Sequence, residues 1–145
     1  MKTLRLLKSV VTATLLSMIY IQPNLAEVSS IDISTNLKSD PLVLNGKSGG
    51  NVHSNCGNIS DQPSQIIRVT KSIPYLRLTV DSPGQPTLLI DGPGGRFCVL
   101  ADSYSGNKAE FSGFWKPGDY SLYIGELSKH QYDCTLSISQ QKQPK

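Results

Sequence analysis

The chain has 145 residues, with 14 Lys and Arg against 11 Asp and Glu, for a formal net charge of +3. Lys2, Arg5 and Lys8 carry that whole excess, and beyond them the basic residues are spaced singly, which excludes the clustered positive patch of a nucleic-acid binder. The length suits one small domain, whose modest core a disulfide would help.

The first element is a leader. In "MKTLRLLKSVVTATLLSMIYIQPNLAE" three basic residues precede an uncharged apolar run from Val10 to Ile21. That is the layout of a secretory signal, with an apolar stretch too short for an ordinary transmembrane helix. Residues 1–26 are therefore expected to be removed after Ala26, leaving no membrane span and a secreted or periplasmic protein. Residues 27–50 form a polar leader with room for first strands, Leu42–Leu44 among them, and residues 51–145 form the main domain with a short polar C-terminal tail.

Beyond residue 26 no helix-period pattern exceeds two turns, whereas period-two alternation is strong. In "YLRLTVD" Leu76, Leu78 and Val80 share one face; in "DYSLYIGE" Tyr120, Leu122 and Ile124 do; in "YDCTLSIS" Tyr132, Cys134, Leu136 and Ile138 do. Further short strands are predicted in "SQIIRVTK", "TLLID", "RFCVLA" and "AEFSGFW", separated by "SPGQP", "GPGG", "SYSGN" and "KPGD". Short strands with Gly and Pro at the punctuation predict an all-β antiparallel sandwich, jelly-roll-like, of roughly seven to nine strands. Within "DGPGGRFCVLAD" the glycines lead into a strand and not a helix, so the segment reads as a tight turn and not a phosphate loop.

Candidate sites follow from residue type and position. Cys56, Cys98 and Cys134 in an exported chain allow one bridge and one leftover thiol; spacing alone leaves the pairing open, and Cys134 shares an apolar face as a small hydrophobe would. His53 and His130 lie in polar loops without metal-ligand spacing. Asp81, Asp91, Asp102, Asp119 and Asp133 flank strand ends, where aspartate caps turns. Asn58–Ser60 matches a glycosylation acceptor. Aromatic residues cluster late, and the phase of "DYSLYIGE" sets Tyr123 opposite the core face. Trp115, Tyr123 and Tyr104 are therefore the expected exposed binding surface.

The segment from Cys56 to Ile138 resembles the pre-peptidase C-terminal family of β-sandwich domains through "CGNIS", "YLRLTVDSPGQPTLLIDGPGGRFCVLAD", "FWKPGDYSLYIGE" and "YDCTLSIS". The resemblance implies an exported accessory domain that assists binding, stability or processing, and it favours a Cys56–Cys98 bridge. No protease-like sequence accompanies the segment, so a free-standing module or one partner in an assembly is implied. Asp102 is the calcium candidate it supplies, although an acidic pair in the family stands here as Ala101–Asp102.

The expectation is thus a non-catalytic exported module, without cofactor, that recognises a protein or polysaccharide. One alternative is an envelope or chaperone-like protein that pairs by β-strand addition. Another is a small hydrolase with a dispersed site, for which Asp102 and Asp119 are the pair to inspect.

Overall fold

A computed structural model describes Ile21 and residues 27–143; apart from Ile21, the expected export leader of residues 1–26 lies outside the described residues. Eleven strands follow in order: β1 (Ser30–Ile33), β2 (Leu42–Lys47), β3 (Val52–Ser54), β4 (Gly57–Ile59), β5 (Gln65–Val69), β6 (Ile73–Asp81), β7 (Pro86–Gly92), β8 (Gly95–Leu100), β9 (Ala109–Trp115), β10 (Gly118–Glu126) and β11 (Asp133–Ser139). This is the expected all-β sandwich, with more strands than the seven to nine anticipated. The surplus lies in β1, β3 and β4, pieces of three or four residues that are too short to show alternation.

One sheet runs β2-β11-β6-β9, antiparallel throughout. The other is built on β10, which takes β5 and β4 along one side and β7 along the other; β1 extends β5 in parallel, β3 extends β4, and β8 extends β7. The chain changes sheet at Lys116–Gly118, between β9 and β10. Residues adjacent in sequence there end in different layers.

The alternating residues meet between the sheets as their pattern requires. Leu76, Leu78 and Val80 from β6, Leu122 and Ile124 from β10, and Leu136 and Ile138 from β11 are all buried in one cluster. Burying one such side chain contributes about 1.5–3 kcal/mol. Strand β7 differs because it is covered on both faces: Leu88 and Ile90 enter the main core, while Leu89 packs outward with Cys56, Ile59 and Tyr123. That double cover explains why "TLLID" is continuously apolar and carries no alternation.

The outer cover is the β3–β4 segment, stapled down by a disulfide between Cys56 and Cys98, with Cα atoms 5.5 Å apart. Thr87 Oγ1 donates to the Cys56 carbonyl at 2.6 Å beneath it. The "GPGG" run joins β7 to β8, with Gly92 paired to Gly95 and φ of 109° at Gly95. Pro93 takes the second turn position, where its fixed φ fits, and Gly95 takes the left-handed position a larger residue would resist. Gly92 is required for space: a side chain there would run into the Tyr120 ring.

Candidate functional site: an aromatic cleft at the sandwich seam

Strands β8 and β9 are the end strands of their respective sheets, since β8 pairs only with β7 and β9 only with β6. A cleft of about 140 Å³ opens where these edges approach, lined by Ile90, Phe97, Phe111, Phe114, Trp115 and Tyr120 with Lys116 beside them. Its floor is a chain of rings: Phe97 and Phe111 stack at 6.1 Å, Phe111 meets Trp115 edge-on at 5.9 Å, and Trp115 meets Tyr120 at 4.6 Å. Such pairs each add roughly 0.5–1.5 kcal/mol beyond their burial.

The local structure positions each ring. Phe97 sits opposite the buried Ile90, which turns it toward the core side of β8, yet the strand is an edge and the ring stays 45% exposed. In β9, Phe111 and Trp115 share the core face, opposite Leu78 and Ile73 of β6. Phe114 takes the other phase and is 60% exposed at the rim. Tyr120 anchors the far wall, its hydroxyl donating to the Lys116 carbonyl at 2.9 Å, and burial pushes that hydroxyl above its ordinary value of 10.0. An apolar slot of this kind can hold a ring or an aliphatic group; it offers no nucleophile beside a base.

The structure differs from the expected exposure of Trp115 and Tyr123. Trp115 is 2% exposed, with its indole N–H donating to the Leu76 carbonyl at 3.3 Å, so it forms the floor of the cleft and not an exposed platform. Tyr123 is half-buried in the other sheet, against the Cys56–Leu89 cluster on the outer face, away from Trp115. The sheet change at Lys116–Gly118 separates the two. Tyr104 is fully exposed, at 100%, in the loop after β8. The three residues are not brought together. Phe97 was missed; its signal was the GPGG turn, which lays it across from the core strand β7.

The acidic residues are engaged locally. Asp102 Oδ1 accepts from the Ser105 N–H at 2.8 Å, the capping role of a turn aspartate. Asp119 pairs with Arg68 at 3.1 Å, Asp91 with Arg96 at 3.3 Å, and Asp81 with Lys108 at 3.1 Å. Asp102 lies beyond the end of β8 where Leu100 aligns with Thr87 and hence Gly125, whereas Asp119 is six residues back along β10. At about 3.4 Å per residue they stand roughly 20 Å apart, so this pair does not form the dispersed hydrolase site. Among the described residues, no group of three or more His, Cys, Asp or Glu is placed to hold a metal ion. The His53 ring reaches Asn58 at 3.4 Å, and His130 meets Tyr132 edge-on.

One carboxylate is fully buried. Glu126 accepts from the Gln85 N–H at 3.0 Å on both oxygens and from the Ser128 N–H at 3.1 Å, tying two turns together at the end of β10. Backbone donors occupy it, which is how a charge is tolerated inside.

Cys134 is a free, buried thiol. Burial, reinforced by the adjacent Asp133 carboxylate, lifts it from the ordinary 9.0 to about 11. The native protein is therefore expected to resist iodoacetamide at pH 8 under conditions in which the unfolded, unreduced chain takes up one equivalent. Unfolded chains release this proton near pH 9 while the folded state holds it to about pH 11. Its stability contribution is thus complete below pH 9 and is lost as the pH rises toward 11, which denaturant titrations across that window would detect.

The geometry can now be set beside known proteins. No protein-family model matches the chain. Over 120 residues it is 34% identical to an uncharacterised protein of Synechococcus elongatus, an alignment covering 80% of this chain and 86% of that one. The chain belongs to the family of that protein. The pre-peptidase C-terminal domain of a collagenase from Bacillus anthracis superposes with a TM-score of 0.52 at 16% identity, covering 77% of this chain and 96% of the domain. The chain therefore has a pre-peptidase C-terminal-like sandwich fold, a likeness of fold alone. A periplasmic inhibitor of g-type lysozyme from Salmonella Typhimurium aligns more loosely, with a TM-score of 0.41 at 11% identity over 76% of this chain and 97% of its own.

Proposed function

We propose that the chain is an exported, non-catalytic binding module that holds a protein or polysaccharide partner at the β8–β9 seam. The observation that carries this reading is the aromatic cleft, with Phe97 and Phe114 exposed at its rim above a rigid floor of Phe111, Trp115 and Tyr120. Exposed rings on rigid strands bury much area on binding at little entropic cost, which is why aromatic residues dominate recognition surfaces. Export is supported by the leader of residues 1–26 and by the Cys56–Cys98 bridge, which forms and persists in oxidising compartments. The non-catalytic reading is supported by where the acidic groups go: Glu126 serves backbone N–H groups, and Asp81, Asp91 and Asp119 serve basic partners.

The test compares retention on a panel of polysaccharides and on the host's exported proteins. Phe97→Ala and Phe114→Ala are each expected to weaken binding to whatever the wild-type chain retains by about tenfold, the scale of a moderate interface residue. Tyr104→Ala, in the separate loop, is expected to leave it unchanged. Retention indifferent to both phenylalanines would remove the cleft from the account. The free edge of β8 favours a second reading, strand addition by an extended peptide; a proline placed in β8 would then abolish binding while the phenylalanine changes would not.

A further inference from the structure

Arg77 stands apart from the other arginines. Among the described residues Arg68 pairs with Asp119 and Asp32, and Arg96 with Asp91, whereas the Arg77 side chain has no carboxylate within salt-bridge distance. Its Nε is shielded from solvent and has no partner. The residue is half-buried on the outer face of the β2-β11-β6-β9 sheet, lining a groove of about 300 Å³ with Thr79, Thr135, Ser137 and the Asp81–Lys108 ion pair. Asp40, in the bend before β2, accepts from the Ser139 hydroxyl and the Gln140 N–H.

A second cation lies at the same end. Lys142 has no carboxylate partner among the described residues, and its ammonium sits 5.6 Å over the ring of Tyr75, two residues before Arg77 on the same face of β6. Of the acids on this face, Glu110 accepts from Thr79, Asp81 pairs with Lys108 in the same groove, and Asp133 pairs with Lys47. The outer face therefore presents two cations without a carboxylate partner among the described residues, Arg77 and Lys142, beside a ring and a floor of hydroxyl groups. Phe114, across from the Pro74–Tyr75 bulge of β6, joins that end to the rim of the cleft.

We infer that this face binds an acidic polysaccharide, with a sugar carboxylate on Arg77. An unpaired guanidinium in a half-buried groove is the side chain best matched to a carboxylate, which it can engage through two parallel hydrogen bonds. The flat face presents side-chain hydroxyls and rings, whereas a peptide would seek the backbone ladder of an edge strand. Hydroxyls pair with sugar hydroxyls, and Tyr75 and Phe114 supply faces for sugar rings. The guanidinium of Arg77 and the ammonium of Lys142, free of ion pairs, favour an acidic polymer over a neutral one. This rests on the binding-module reading and names its partner's class.

The test uses the full chain and defined probes: alginate and polygalacturonate oligomers, with neutral dextran, dextran sulfate and polyglutamate as comparisons. At least one uronate polymer is expected to bind, more weakly as salt rises, and Arg77→Met is expected to weaken it by at least about tenfold while keeping the aliphatic stem's packing. Arg77→Lys should recover part of the loss, because it restores charge without the planar fork. Thermal melts of both variants confirm that the comparison is between folded proteins. Failure of both uronates to bind, equal binding by Arg77→Met, or equal binding of dextran, dextran sulfate or polyglutamate would overturn the inference. If another partner is retained and responds to Phe97→Ala but not to Arg77→Met, the cleft stands and the uronate assignment falls.

Discussion

Replacing Cys56 and Cys98 together with alanine, or reducing their bridge, is expected to lower the unfolding free energy by about 4 kcal/mol. The two cysteines are 42 residues apart in sequence, and closing a loop of that length removes much of the freedom of the unfolded chain. The effect also has a native-state side. Cys56 holds the β3–β4 segment against Thr87 and Leu89, so loss of the staple frees the cover from the outer face of β7. In a domain of this size the melting temperature should fall by roughly 15 °C, a large part of ordinary stability. Thermal and urea melts of the double variant, beside wild type with and without reductant, check both numbers. A shift of less than a few degrees would mean that the cover is held by its hydrogen bonds alone.

Trp115→Ala is expected to cost about 4 kcal/mol, in the range for deleting a buried aromatic side chain. Three losses combine: the ring contacts with Phe111 and Tyr120, the apolar burial, and the indole donor that satisfies the Leu76 carbonyl. Trp115→Phe keeps most of the packing and loses the hydrogen bond, so about 1–2 kcal/mol is expected. The contrast lies one residue away. Phe114→Ala should change stability by less than about 1 kcal/mol, because the ring is mostly exposed, while weakening binding. Urea denaturation of the three variants separates a floor residue from a rim residue. Equal costs at 114 and 115 would contradict the alternation assigned to β9.

What the sequence made legible follows from where each strand lies. Strands β6, β10 and β11 each bury one face, so Leu76, Leu122 and Leu136 with their alternate neighbours declared the core directly. The GPGG segment read correctly as a turn because proline and glycine act through local backbone preferences alone. The site was less legible. "FSGFW" places apolar residues in both phases of β9, and only the register against β6 decides that Phe111 and Trp115 turn inward and Phe114 outward. Tyr123 had the expected phase, opposite Leu122, but the β3–β4 cover that half-buries it is made of three-residue strands carrying no pattern of their own. Phe97 gained its place from the meeting of two sheet edges, a long-range event no local window records.

Trp115 is the single tryptophan of the chain and forms the floor of the cleft, so its emission reports directly on that site. Titrating the folded protein with a ligand it retains, while following tryptophan fluorescence, is the most direct test of the seam as the binding surface. A saturable change that matches the binding curve, and is lost in the Phe97→Ala/Phe114→Ala double variant, is the predicted result. Saturating binding with unaltered Trp115 emission and undiminished affinity in that double variant would contradict it.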